Sequence, residues 1–273
     1  MTEPTGAAGA HLDLRHHLTY AEYLGLDDVL GAQHPRSDAH DEMLFIIQHQ
    51  ATELWIKLVL HELHAVSALV DADDLEPAFK SMARVERVMQ GLISSWDVLT
   101  TMTPADYLSF RAALDTSSGF QSFQFREMEF VLGHKTRASL DRYPEGSDAR
   151  ARLERRLSGP TLWDSFLRYL AGAGYSVPPD QLGRDVTQPI EPSAPLRAVL
   201  VEVYRKDAVA SSVCERLLDL DEGLQEWRYR HVKMVQRTIG TKHGTGGSEG
   251  AAYLMKTLNQ PMFPDLWAIR TEL

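Results

Sequence analysis

Residues 208–239 read AVASSVCERLLDLDEGLQEWRYRHVKMVQRTI, and this run decides the fold. Val213, Leu217, Leu220, Leu224, Trp227, His231, Met234 and Thr238 recur at alternating steps of four and three. All eight therefore fall along one face of an α-helix. Gly240 follows as the residue type that ends helices in a left-handed turn. One imidazole, His231, sits within that stripe.

The same period extends upstream. From about Ala39 to Leu69 it runs through Leu44, Ile47, Leu54 and Leu58, with acidic Asp41 and Glu42 near the positive end of the expected helix. From Leu75 to Leu99 it runs through Phe79, Met82, Met89, Ile93 and Trp96. Shorter helices are expected over Thr19–Gln33, Pro104–Leu114, Phe120–Leu132, Gly159–Leu170 and Leu196–Arg205. No useful run alternates with period two, so the expected class is all-α, a helical bundle. Two stretches break the pattern. Gly172 to Pro195 holds five prolines and reads as a long connection. Thr241 to Gly250 carries Gly244-Thr245-Gly246-Gly247-Ser248-Glu249-Gly250 and reads as a flexible loop. Neither break shifts the composition, and no repeat is visible. The expected organisation is a loose tail over 1–18 and one domain over 19–273.

Composition narrows the functional classes. At 273 residues and 44% hydrophobic, the chain supports a sizeable core without staples. A net charge of −10 argues against a general nucleic-acid or membrane surface. Cys214 is the only cysteine, which rules out an intrachain disulfide and a cysteine-rich zinc site and suits a reducing cytoplasm. Met1 to Ala10 lacks the basic and apolar segments of a signal peptide. No stretch reaches the roughly 18 uninterrupted apolar residues of a membrane helix.

Several residues could carry chemistry. His49 lies in the apolar run Phe45-Ile46-Ile47-Gln48-His49-Gln50, with Phe45 four residues before it on the same face. It reads either as a satisfied core histidine or as a functional imidazole. His231 presents the same choice, the second reading being an axial haem ligand on a rigid, apolar-walled helix. His61-Glu62-Leu63-His64 fails the zinc-protease pattern, because its histidines are three apart, and reads as a partly solvated face, as do His16 and His17. Arg111, four after Tyr107, is either a surface ion-pair residue or a two-pronged carboxylate clamp. The glycine-rich loop lacks the Gly-Lys-Ser/Thr of a phosphate loop. Gly246 and Gly247 still permit close backbone approach to a ligand, and Thr245 adds a hydroxyl.

At these residues the chain resembles the tryptophan 2,3-dioxygenases. The resemblance is carried by His40 through Gln50 with Glu53-Leu54-Trp55, by Ser118 through Arg126, and by Trp227-Arg228-Tyr229-Arg230-His231. Ile239-Gly240, Gly244 through Ser248, Phe263-Pro264-Asp265-Leu266 and Arg270-Thr271 add to it. It runs from about Thr19 to the C-terminus and is least distinctive from about Arg137 to Ala208. It implies a haem b enzyme, active as Fe(II), that cleaves the indole C2–C3 bond of L-tryptophan with O2 to give N-formyl-L-kynurenine. His231 matches the proximal iron ligand and His49 the distal histidine that meets the indole N–H. Phe45 matches the pocket's aromatic wall. Arg111, with Tyr107 beside it, matches the carboxylate clamp, and Thr245 a contact to the substrate's amino-acid end. Ser118 matches a serine near the haem edge, and Gly246 belongs to the same cofactor-side loop. Tyr20, Tyr23 and Leu24 match residues that reach a neighbouring subunit's pocket, which implies a homotetramer built as a dimer of dimers. Two departures stand out. Asp115-Thr116-Ser117 replaces the usual proline-alanine pair before the serine, and His243 stands where another basic residue is common. The alternatives are a diverged member acting on a substituted tryptophan or indole, including as a monooxygenase, and a haem-binding bundle without catalysis.

Overall fold

The computed structural model describes residues 17–247 and 249–273. The tail expected over 1–18 thus lies outside the described residues except for its last two positions, as do His16 and Ser248. Every regular element among the described residues is a helix. In chain order these are α1 (Tyr20–Leu24), α2 (Leu26–Leu30), α3 (His40–Asp71), α4 (Leu75–Leu99), α5 (Pro104–Phe110), α6 (Phe123–Leu132), α7 (Asp148–Ser158), α8 (Leu162–Gly172), α9 (Pro179–Leu182), α10 (Ala194–Lys206), α11 (Ala208–Ile239), α12 (Ala251–Thr257) and α13 (Pro264–Ala268). Short 3-10 turns occupy Arg111–Leu114, Gly119–Gln121, Arg137–Arg142 and Ile269–Thr271.

The three long helices make the frame. α4 packs along both α3 and α11, with α8 and α6 against α3 and α12 against α11. Seven of the eight stripe residues on α11 are buried, and His231 is half-buried. Side chains such as Leu63, Val66, Leu92, Leu217 and Leu224 are fully enclosed, each worth about 1.5–3 kcal/mol on burial. On α3 the inward face differs from the expected one. Ile56, Val59, Leu60, Leu63, Val66 and Val70 are buried, whereas Ile47 and Leu54 are about half exposed. The His61–His64 tract is also mixed, because Glu62 is buried against Arg84 at 2.6 Å.

Several boundaries move for identifiable reasons. The helix expected over Thr19–Gln33 is two five-residue helices, broken where Gly25 takes φ 59°. The helix expected from Gly159 begins at Leu162, since Thr161 caps it by accepting from the Asp164 N–H, with Asp164 returning the bond. Ser122, capping α6, separates it from the turn before it, and α5 tightens into 3-10 geometry at Arg111. The connection over Gly172–Pro195 contains the short α9, and Pro195 already belongs to α10. α7, α12 and α13 were not expected. α7 starts at a serine cap, Ser147, and buries only Leu153 and Leu157.

The C-terminal segment is pinned by one carboxylate. Asp221 on α11 is completely buried. Its Oδ2 accepts from the Met262 and Phe263 N–H groups at 2.9 and 3.2 Å and from the Trp267 indole at 2.9 Å. Its Oδ1 accepts from Gln225 at 2.9 Å. No helix among the described residues is long and apolar enough to cross a membrane.

Candidate active site

A cavity of about 240 Å³ opens between α3 and α11, with Trp96 and Leu99 of α4 in its wall. It exceeds the ~150 Å³ apolar cavity that holds a benzene ring. Phe45 and His49 enter from α3, and Trp227 and His231 from α11.

The two histidines differ in how they are held. His49 Nδ1 lies 2.7 Å from the Phe45 carbonyl oxygen. A carbonyl only accepts, so Nδ1 carries the proton and Nε2 is left as a bare acceptor. Burial lowers the pKa of His49, opposed by that carbonyl and by Glu53. His231 makes no hydrogen bond to any described residue. Its ring stacks on Trp96, centroids 4.8 Å apart and planes 9° from parallel, and Trp227 flanks it at 5.3 Å. Burial among these rings, with His49 adding to it, pushes its pKa down to about 4. Both imidazoles are therefore neutral at pH 7.

One end of the cavity is charged. Arg228 Nη2 donates to Glu129 Oε1 at 2.7 Å, Arg126 Nη1 donates to the other oxygen of Glu129, and all three residues line the space. The remaining Arg228 donor reaches the Thr257 and Gln260 carbonyls, both at 3.3 Å.

The mouth is made by Tyr107, Ser118 and the loop after α11. Thr245 Oγ1 donates to the Ser117 carbonyl at 2.6 Å. Arg111 Nη2 donates to the His243 carbonyl at 2.7 Å, while its Nη1 is buried without a partner. Gly246 presses on Ser118 so closely that a Cβ there would stand 2.8 Å from Ser118 Cβ, which only glycine avoids. Asp115 takes the left-handed region at φ 48°, costly for a side chain other than glycine. The departure Asp115-Thr116-Ser117 thus forms a turn whose Ser117 carbonyl receives the loop.

Of the residues singled out in the sequence, Phe45, His49, Tyr107, Ser118, Thr245 and His231 line the cavity. Arg111 and Gly246 stand behind its wall at the mouth. Tyr20, Tyr23 and Leu24 lie on the exposed α1, away from the cavity and with 75%, 75% and 42% of their surface free. Sequence reasoning missed the stacking partner Trp96 and the Arg126–Glu129–Arg228 group. Arg126 and Arg228 stand inside the resembling motifs, which was the available signal.

The class is thus an all-helical protein with two neutral imidazoles lining one cavity and an arginine at its mouth. The family model described as tryptophan 2,3-dioxygenase matches residues 5–160 and 184–273. A tryptophan 2,3-dioxygenase of Herpetosiphon aurantiacus is 52% identical over 258 residues, covering 94% of this chain and 98% of the relative. One of Bacillus thuringiensis is 47% identical, covering 97% and 96%, and one of Cupriavidus necator is 47% identical, covering 98% and 92%. The chain belongs to the tryptophan 2,3-dioxygenase family. The unmatched stretch between the two family segments contains α8, which nevertheless delivers Trp163 and Phe166 to the core.

Proposed function

We propose that this protein is a haem b-dependent dioxygenase that opens the C2–C3 bond of L-tryptophan with O2 to give N-formyl-L-kynurenine. The observation that carries the reading is the pair of neutral imidazoles facing one cavity from two rigid helices. His231 fits a haem: it is neutral well below pH 7, bears no hydrogen bond, and lines the cavity among apolar and aromatic side chains. When bound, the haem supplies the redox-active iron that activates O2.

The rest is done by side chains. His49 Nε2, bare because Nδ1 is committed to Phe45, accepts the indole N–H and fixes the ring's orientation. Its effect is positional and electrostatic rather than that of an obligatory base. Phe45 forms an aromatic wall with Phe110 and Tyr107, at 5.5 and 6.1 Å between centroids. Arg111 takes the substrate carboxylate with its unpartnered Nη1 and by exchanging the His243 carbonyl. Thr245 turns its hydroxyl from Ser117 to the amino-acid end, and Ser118 with Gly246 shapes the cofactor's edge. Holding both ends of the amino acid presents C2 and C3 to O2, and that orientation lowers the barrier. The carboxylate clamp favours an amino acid over a bare indole.

We further propose a homotetramer, a dimer of dimers, in which Tyr20, Tyr23 and Leu24 reach a neighbouring copy's pocket. Supporting this, no residue of α1 or α2 is buried. The lone Cys214, buried with its pKa raised, suits a reducing cytoplasm.

The test is direct. Haem-loaded, reduced protein mixed with L-tryptophan in labelled O2 should develop the near-ultraviolet absorbance of N-formylkynurenine, with two labelled oxygens per product by mass spectrometry. One labelled oxygen, or a haem-replete protein that leaves tryptophan unchanged, rejects the reading.

A further inference from the structure

We propose that Arg126, backed by Arg142 and Tyr143, is a carboxylate-binding pocket that anchors an acidic edge group of the cofactor; this rests on the haem reading above. The first observation is a set of buried donors with nothing to donate to. Arg126 lines the cavity, and its Nε–H has no partner although Nη1 is held by Glu129. Arg142 Nη1 and the Tyr143 hydroxyl are likewise buried and unpartnered. Tyr143 is 93% buried, being only 7% exposed. The three converge. The Arg142 guanidinium lies 3.6 Å over the ring of Phe120, a cavity-wall residue, and Tyr143 stands within the fields of Arg126, Arg142, Glu129 and Glu53.

The second observation is charge. Two guanidinium groups, Arg126 and Arg228, share the single carboxylate of Glu129, which leaves one positive charge uncompensated. Buried donors are almost always satisfied, and buried charges are almost always paired. Water would meet the donors but not the charge. A single planar anion meets both, and a carboxylate accepts from a guanidinium and a hydroxyl together. The substrate's own carboxylate is assigned to Arg111 at the mouth. Haem b carries its carboxylates on one edge, so an edge group turned toward Phe120 supplies the missing anion.

The experiment compares the affinity of haem-free protein for haem and for its dimethyl ester, which lacks the charge. The parent should hold haem at least about tenfold more tightly than the ester, the size of a charge-assisted hydrogen bond. Arg126→Gln should bring that ratio close to one. Tyr143→Phe, which keeps the packed ring and removes only the hydroxyl, should narrow it several-fold. Both variants should keep the absorption spectrum of imidazole-ligated haem. Equal affinity of the parent for the two porphyrins, or a ratio unmoved in both variants, overturns the pocket while leaving the haem reading intact. Failure of the parent to bind either porphyrin removes the haem reading and the pocket with it. Acetate raising the Tm of the haem-free parent but not of Arg126→Gln, with haem and ester bound alike, would assign the pocket to a free anion and reject the cofactor anchor.

Discussion

The far wall of the cavity and its mouth are built on opposite plans. At the wall, His231 sits about three-quarters of the way along a 32-residue helix, stacked on Trp96 and making no polar bond that a ligand would have to break. At the mouth, Arg111 and Thr245 sit on short turns and loops, and each spends its hydrogen bond on a neighbouring carbonyl. A cofactor that stays needs a ligand fixed in place. A substrate that comes and goes needs groups that trade one partner for another, because an exchanged bond costs little to release.

Four experiments press on that contrast. The largest effect is expected from His231→Ala, which should purify without haem's visible absorption and lose more than about 100-fold in kcat/KM, beyond the loss typical of outer-shell changes. Retention of haem would mean the wall is not what holds it. Acid comes next. An unfolded histidine titrates near 6.5 and His231 in the fold at about 4, so between these values the unfolded chain binds the extra proton. The haem-free protein should keep its full stability above pH 6.5 and lose up to about 3 kcal/mol as the pH falls to 4, read by denaturant titration. A flat profile across that window would show that water reaches the ring. Third, Arg111→Ala should raise KM by about 10–100-fold while leaving haem content and Tm near the parent values. Tryptophan handled as by the parent would undo the substrate pose. The smallest effect is expected from Thr245→Ala, a loss of about 2–10-fold in kcat/KM for one neutral hydrogen bond.

How much of this was legible in the sequence depended on distance along the chain. α11 and α4 declare themselves by period, and most of each stripe is buried, with Phe79, Ile93 and His231 partly so. α3 was legible as a helix, but Ile47 and Leu54 point outward, because its inward face is the one that α4, α6 and α8 cover, carrying Ile56, Val59, Leu60, Leu63, Val66 and Val70. The break at Gly25 hides in a run that otherwise reads as one helix. α7 buries two leucines among arginines, too little for a stripe. The cavity was less legible still. Periodicity could not separate His49 and His231 from ordinary core histidines; only the resemblance offered a reason to single them out. The stacking of Trp96 on His231 joins two helices far apart in the chain, and Arg228 meets Glu129 across 99 residues. No local pattern encodes such pairings.

Asp221 ties completion of the fold to the arrival of a segment some forty residues later, Met262 to Trp267. Three of its four donors come from Met262, Phe263 and Trp267, within the final dozen residues. A polypeptide released short of Met262 would strand a bare anion against the leucines of α11, a penalty of several kcal/mol. The cavity, walled by that same helix, is therefore secured only after the ribosome has delivered the segment through Trp267, so chains cut before it are left unable to mature.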